Sequence, residues 1–139
     1  MEGSSALKVR IFISIITSSD LKNFVKKQID HTISNERFRK MRKLITIEQY
    51  RNAALAERAT KYQLTNMANF YAIIFRRMMD SGRIRNDDPE LLAFEFTSPI
   101  TILIQLLDRK PEMAKEVRKR IDEQIDFFIE KYMTEKWNE

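Results

Sequence analysis

The feature that most constrains the fold is a run of twelve residues, 96–107, without a charged side chain. It follows a helix-start pattern in which Asp88 can cap, Pro89 suits the first turn and Glu90 faces the positive end of the helix dipole. A helix with one face in water normally interrupts such a run with Lys or Glu. Residues 88–108 are therefore predicted to form a helix covered on nearly all sides, with one face against a second protein, most simply another copy of this chain.

A second uncharged stretch covers residues 62–75. It lies in a long helix predicted from Ala53 to about Ser81, capped by Asn52 and closed by Gly82. Two such helices, lined with aromatics, methionines and neutral polar groups, are typical of a small-molecule pocket between helices. The alternative is an ordinary core in which buried amides bond to one another, since an unpaired buried polar group costs about 1–3 kcal/mol.

The scarcity of turn residues favours an all-α fold. The chain has 139 residues with only 2 Gly and 3 Pro, whereas sandwiches and barrels need many turns. Ser19-Asp20 and Ser34-Asn35 are predicted helix caps, and apolar residues repeat at helical spacing in a last helix from Pro111 to about Lys136. We expect an all-α bundle of about five to six helices. A loose start (residues 1–6) precedes one domain (residues 7–139), in which residues 7–16 suit either a strand or a short buried helix.

The charge distribution leaves nucleic acid open as a partner. Residues 22–51 carry 9 basic and 3 acidic side chains, and residues 86–139 carry 8 basic and 13 acidic ones. A basic patch in residues 37–51 could contact phosphate, but it lacks interleaved aromatics and a helix-turn-helix pattern. Solvated helix faces of mixed sign are the simpler interpretation.

No motif indicates an active site. The chain has one histidine and no cysteine, and it contains neither a phosphate-binding glycine pattern nor metal-ligand spacing. We therefore expect no enzyme activity, no cofactor and no metal. A short basic and apolar start resembles a secretory signal only weakly, and the run 96–107 is shorter than the about 20 apolar residues of a membrane span. A cytoplasmic protein without a membrane partner is expected.

The sequence resembles one known family in several consecutive segments. RKLITIEQYR (residues 42–51), followed by Asn52, is similar to the RLLTIEQFR segment of tetracycline-repressor (TetR/AcrR) family regulators. The resemblance continues through the aromatic-rich residues 70–79, SGRIR (81–85), DPELLA (88–93), FTSP (96–99), the apolar residues 100–107 and the closing amphipathic helix. It extends over roughly residues 35–132, and the order and spacing of the segments carry it.

The resemblance implies the regulatory region of a transcriptional repressor. In that family the last two long helices of each subunit form a dimeric four-helix interface, and the central helices enclose a pocket for a small effector. Effector binding tilts an N-terminal helix-turn-helix and releases the operator. Residues 1–34 do not resemble that DNA-binding domain, so we expect DNA contact only through a domain missing from this sequence. The alternative is a ligand-free helical module for oligomerisation or adaptor function.

Two sets of candidate site residues follow. The effector, expected to be small and either hydrophobic or cationic, is assigned a pocket pool that combines apolar side chains with possible hydrogen-bonding groups: Tyr50, Asn66, Met67, Asn69, Phe70, Tyr71, Ile74, Phe75, Phe96, Ile100, Thr101, Leu103 and Gln105. The homodimer interface is assigned to the last two helices: Phe94, Thr97, Ser98, Thr101, Gln105, Val117, Ile121, Ile125, Phe128 and Tyr132.

Overall fold

The computed structural model describes residues 17–133, apart from the side chains of residues 62–64. Within that range the chain forms six α-helices: α1 (Ser18–Ser34), α2 (Glu36–Glu48), α3 (Ala53–Ala59), α4 (Asn66–Asp80), α5 (Pro89–Arg109) and α6 (Ala114–Tyr132). The predicted all-α bundle of about five to six helices is confirmed. The prediction for residues 7–16 lies outside the described residues, as does the predicted end of the last helix beyond residue 133.

Side-chain caps fix three of the six described helix starts where the sequence places them. Asn35 accepts from the Phe38 amide at 3.0 Å, and Asn52 accepts from the Ala54 amide at 3.0 Å. Asp88 accepts from the Glu90 amide at 3.0 Å with Pro89 in the first turn. The first cap differs: Thr17 caps α1, and Asp20 completes a reciprocal capping box, so the cap predicted at Ser19-Asp20 lies two residues too late. An Ncap residue must stay outside the helical backbone conformation, and Thr17 does so.

Gly82 closes α4 as predicted. It is the one described residue with a positive backbone φ, at 75°. The Arg83 amide donates to the Met78 carbonyl at 2.8 Å and the Gly82 amide donates to the Met79 carbonyl at 3.0 Å. This pair of bonds is the Schellman arrangement, which requires a left-handed residue that glycine adopts at no steric cost.

The long helix predicted from Ala53 to Ser81 is interrupted. Residues Thr60–Thr65 form a π-helical segment between α3 and α4. The Thr60 and Thr65 hydroxyls donate to the carbonyls of Ala56 and Lys61 at 3.1 and 3.2 Å. Such back-bonding competes with the regular ladder of backbone bonds, and π segments are frequent at functional sites. The last helix likewise starts later than predicted, because Pro111–Met113 form a 3₁₀ turn.

The core lies between α1, α4, α5 and α6. Helix α4 packs on α5, α5 on α6, and α6 on α1. Aromatic rings fill the centre, where the ring centroid of Phe96 lies 4.7 Å from that of Phe128 and 5.7 Å from that of Phe75. The apolar stripe of α6 therefore packs inward on its own chain.

A ladder of ion pairs ties the outer side of α1 to α6. Lys22 pairs with Glu130 at 2.9 Å and Lys26 with Asp126 at 3.0 Å. One turn further along α1, Asp30 pairs with Arg118, which also donates to Ser34. The pairs run in opposite directions along the two helices, so α1 and α6 are antiparallel. Exposed pairs of this kind contribute only about 0–1 kcal/mol each, and they fix register more than stability.

Helix α5 is unusually apolar for its length. Among the described residues it is the one helix whose length and composition suit a membrane span, and a third of its apolar window is buried inside the chain. The twelve-residue run 96–107 is shorter than a span, but the whole helix of 21 residues is not. Core helices of other proteins share this property. In this chain one side of α5 packs on α4 and α6.

Candidate functional site

An apolar cavity of about 280 Å³ lies between α1, α2 and α4. Ile29 of α1 lines it, together with Phe38, Met41 and Ile45 of α2 and Phe70 of α4. Helix α2 reaches this position because a single residue, Asn35, links it to α1. Asn35 is both the C-cap of α1 and the N-cap of α2. Its apolar side chains recur every three or four residues, so they share one side of the helix and face the cavity together.

Tyr71, one of the residues that line the apolar cavity, carries a buried hydroxyl. Tyr71 is 2% exposed, and its Oη has no hydrogen-bond partner among the described side chains and backbone. Burial raises the pKa of this hydroxyl well above its usual value, so it stays protonated and able to donate. Leaving such a buried donor unpaired costs about 1–3 kcal/mol, so a bound molecule with an acceptor atom that reached this hydroxyl would remove that cost.

A second, more polar cavity of about 430 Å³ adjoins the first. It is bounded by α2, α4, α5 and the start of the π segment, and Thr32, Arg42 and Met67 line both cavities. Its other lining residues are neutral hydrogen-bonding groups, charged groups and three apolar side chains: Lys43, Thr46, Ile47, Gln49, Tyr50, Ala59, Thr60, Thr101, Ile104, Gln105, Asp108 and Arg109. Helices α1, α2, α4 and α5 thus surround two adjoining cavities.

Arg42 of α2 links α1 and α5 where the two cavities adjoin. Its Nε and Nη2 donate to the two carboxylate oxygens of Asp108 on α5, at 2.6 and 3.0 Å. Its Nη1 donates to the Thr32 carbonyl in the last turn of α1 at 2.7 Å. The side chains of Arg42 and Asp108 are only 14% and 22% exposed. A bidentate, partly desolvated pair of this kind is stronger and more specific than a surface pair.

Replacement of Arg42 with Met is expected to lower the free energy of unfolding by about 2–3 kcal/mol, because charge-assisted hydrogen bonds are lost and Asp108 is left unpaired. Urea denaturation followed by circular dichroism measures the change. Arg37→Met is the matched control, since Arg37 is exposed on the same helix. Equal stability of the two variants would show that the Arg42 contacts do not organise the junction.

The structure brings part of the predicted pocket pool together and separates the rest. Asn66, Met67, Phe70 and Tyr71 line the apolar cavity. Tyr50, Thr101 and Gln105 line the polar cavity, which Met67 also borders. Ile74, Phe75, Phe96 and Ile100 lie instead in the closed core, and Leu103 packs against it. Asn69 is exposed in a groove beside Ile73 on the far side of α4. Those six assignments are corrected, because these side chains line neither cavity.

The prediction missed the contribution of α1 and α2. Gln28, Ile29 and Thr32 lie on the wall, and so do Phe38, Met41, Arg42 and Ile45. The four residues of α2 recur at helical spacing on one side, and that pattern was the available signal. The spacing did not show which helices this side of α2 would face, because only the tertiary packing determines its neighbours.

The predicted dimer residues divide between core and surface. Val117, Ile121, Ile125 and Phe128 are each at most 5% exposed and pack within one chain, so they cannot supply contacts to a second copy. Thr97 is also buried, and its hydroxyl donates to the Ala93 carbonyl at 2.8 Å. These five assignments are corrected: the α6 stripe faces its own core. Tyr132 is half-buried, and its hydroxyl donates to Glu95 at 3.1 Å.

The accessible part of the interface prediction lies on one stripe of α5. Phe94 and Ser98 occupy this outer stripe, and Gln105 ends it. Gln105 and Thr101 both line the polar cavity, which borders the stripe. Leu91 and Ile102, which the prediction omitted, complete the stripe at intervals of three or four residues. Phe94 and Ile102 are 62% and 65% exposed. On α6, Phe127 is 65% exposed.

No protein-family profile, no curated protein and no solved structure matches this chain. Within the described residues, no group of three or more His, Cys, Asp or Glu side chains is placed to hold a metal ion. The geometry of the two cavities and of the outer stripe is therefore the basis for a functional conclusion.

Proposed function

We propose that this chain is the effector-binding and dimerisation region of a TetR-family transcriptional regulator. In that family DNA contact belongs to an N-terminal helix-turn-helix, so the proposal assigns ligand binding and dimerisation to residues 17–133. The sequence resemblance in residues 35–132 motivates the family. The all-α bundle is compatible with it, and the cavity between α1, α2 and α4 supports the ligand role.

The Tyr71 hydroxyl is the observation that carries the ligand role. A plain core would pair this buried group or replace it with phenylalanine, because an unpaired hydroxyl costs stability. Here Tyr71 lines an apolar cavity, and its hydroxyl is closed to solvent and has no partner among the described residues. Apolar walls with one or a few placed polar groups are the usual composition of small-molecule sites.

The outer stripe supports dimerisation. Its three large apolar side chains, Leu91, Phe94 and Ile102, are more than half exposed on one helix. Glu95 bonds to Tyr132 beside this stripe, so α5 and α6 form one continuous surface there. A twofold interface brings the same patch of each subunit together, and two such helix pairs would form a four-helix arrangement.

The position of the apolar cavity suggests how an effector would act. Gln28, Ile29 and Thr32 of α1 form one wall, and α1 is the first described helix. A ligand that contacts α1 and α4 together would favour one arrangement of α1 relative to the core. Such a ligand shifts the population of states only by its difference in affinity for them.

A thermal-shift screen of hydrophobic, cationic and anionic drug-like compounds tests the ligand role. We expect some compounds to raise the unfolding temperature, because a ligand that binds only the native state stabilises it, by about 2.7 kcal/mol at a hundredfold excess over the dissociation constant. A library without a stabilising compound would favour the alternative, a ligand-free helical module.

A further inference from the structure

The two cavities share a boundary and differ in chemistry. Thr32, Arg42 and Met67 line both, so one elongated molecule placed along Met67 would reach both. Their volumes of about 280 and 430 Å³ together fall within the about 300–1,000 Å³ typical of ligand sites. The first cavity is lined chiefly by apolar side chains and the second chiefly by polar and charged ones.

The apolar cavity contains little that would bind a charge. Ile29, Phe38, Met41 and Ile45 supply hydrocarbon and thioether contacts. Within the described part of its wall, Arg42 is the one charged side chain, and its hydrogen bonds go to Asp108 and the Thr32 carbonyl. Taking an unpaired charge into such a space is strongly unfavourable, so this cavity suits the apolar body of a ligand.

The polar cavity has an excess of positive charge. Among the described residues that line it, Asp108 is the one acidic residue, and both of its carboxylate oxygens accept from Arg42. Lys43 and Arg109 line the same cavity and are exposed. Neither forms an ion pair with any residue between 17 and 133. Two uncompensated cations therefore face a space that also offers neutral hydrogen-bonding groups such as Gln49 and Gln105.

We propose that the two cavities form one site for an amphiphile with an apolar body and a single anionic head group. The body occupies the apolar cavity beside Tyr71, and the head group is bound by Lys43 and Arg109. This assignment rests on the proposed ligand-binding function and narrows the expected effector, which is hydrophobic or cationic. A cationic effector would meet two cations, and the described lining residues include no free carboxylate. The head-group chemistry is that of a carboxylate or phosphate.

Calorimetric titration with three ten-carbon probes, each below its micellar concentration, tests the assignment. Decanoate, decan-1-ol and decyltrimethylammonium share a chain and differ in head-group charge. We expect decanoate to bind about tenfold or more tightly than either other probe. The alcohol lacks the charge of the carboxylate and so loses the charge-assisted hydrogen bonds to Lys43 and Arg109. The quaternary ammonium group cannot accept a hydrogen bond and is repelled by the two cations. Its affinity should also fall as salt is raised, because exposed charges are screened.

A pair of charge-matched variants locates the head group. Lys43→Gln combined with Arg109→Gln should weaken decanoate binding about tenfold and leave decan-1-ol binding unchanged. Arg37→Gln combined with Lys119→Gln removes the same charge from exposed positions outside both cavities and should leave decanoate binding unchanged. Circular dichroism of all variants confirms folding, and the comparison of the three probes on the wild-type chain is independent of any variant.

The outcomes separate this assignment from the proposed function. Equal binding of decanoate, decan-1-ol and the ammonium probe would overturn the anionic head group while leaving a ligand cavity in place. A decanoate affinity that is the same in the Lys43/Arg109 variant and in its control would overturn it as well. Failure of all three probes to bind, together with an unresponsive thermal-shift screen, would overturn both.

Discussion

Replacement of Ile102 with Asp is expected to convert a dimer of this chain into a monomer. Ile102 belongs to the outer stripe of α5 and is 65% exposed in one chain, the largest exposed fraction among the apolar side chains of the stripe. In a twofold interface the substitution occurs on both subunits, and an uncompensated charge buried there costs about 3–5 kcal/mol. Since 1.4 kcal/mol corresponds to about tenfold in a dissociation constant, the dimer should weaken by more than about 100-fold.

Sedimentation velocity between one and a hundred micromolar measures this change. Leu44→Asp is the matched control, because Leu44 is 53% exposed on α2, outside the outer stripe. The control should sediment like the wild-type chain. A wild-type chain that is monomeric across the concentration range, or an Ile102→Asp variant that remains dimeric, would contradict the interface.

Truncation of Phe128 to Ala is expected to lower the free energy of unfolding by about 3–5 kcal/mol. Phe128 is 5% exposed, and its ring centroid lies 4.7 Å from those of both Phe96 and Tyr132. Removing the ring leaves a cavity where α4, α5 and α6 meet, and the surrounding rings can close it only in part. Denaturant unfolding at a concentration where the chain is monomeric gives the value.

The neighbouring Phe127 is the control for this measurement. It has the same side chain on the same helix but is 65% exposed. Phe127→Ala should change the free energy of unfolding by no more than about 0.5 kcal/mol. A larger loss of unfolding free energy for Phe127→Ala than for Phe128→Ala would mean that α6 presents Phe127, and not Phe128, to the core.

The sequence was sufficient for the all-α class, for the starts of α2, α3 and α5 and for the end of α4. Asn35, Asn52 and Asp88 act as caps through local hydrogen bonds, and Gly82 closes α4 through its own backbone conformation. Each of these depends on residues a few positions away, which a single sequence displays. The interruption at Thr60–Thr65 was missed, because a π segment keeps helical composition and only shifts the hydrogen-bond register.

The sequence did not show which helix or subunit covers each apolar helix face. An apolar stripe states that a face is covered, but it does not state by what. The stripe from Val117 to Phe128 was assigned to a second subunit and lies against α1 and α5 of its own chain. Conversely, Ile102 lies in the charge-free run 96–107, yet its side chain is exposed.

The residues that line the two cavities were predicted only in part, again because an apolar side chain does not show what it contacts. Met67, Phe70 and Tyr71 were chosen from an uncharged stretch of α4, and they do line the apolar cavity. Phe75 and Phe96 have the same chemistry but meet each other in the core, with ring centroids 5.7 Å apart. Composition does not distinguish a side chain at a cavity wall from one in a filled core. The difference arises from how α1 and α2 close over α4.

The most direct test of the ligand cavity compares wild-type and Tyr71→Phe chains in the thermal-shift assay, with and without a stabilising compound from the screen. Without the compound, Tyr71→Phe is expected to unfold at the same or a higher temperature, because it removes a buried hydroxyl that has no partner among the described residues. With the compound, Tyr71→Phe should lose most of the wild-type shift. An equal shift in both chains, or a variant that is strongly destabilised without any compound, would contradict the assignment of this hydroxyl to a ligand.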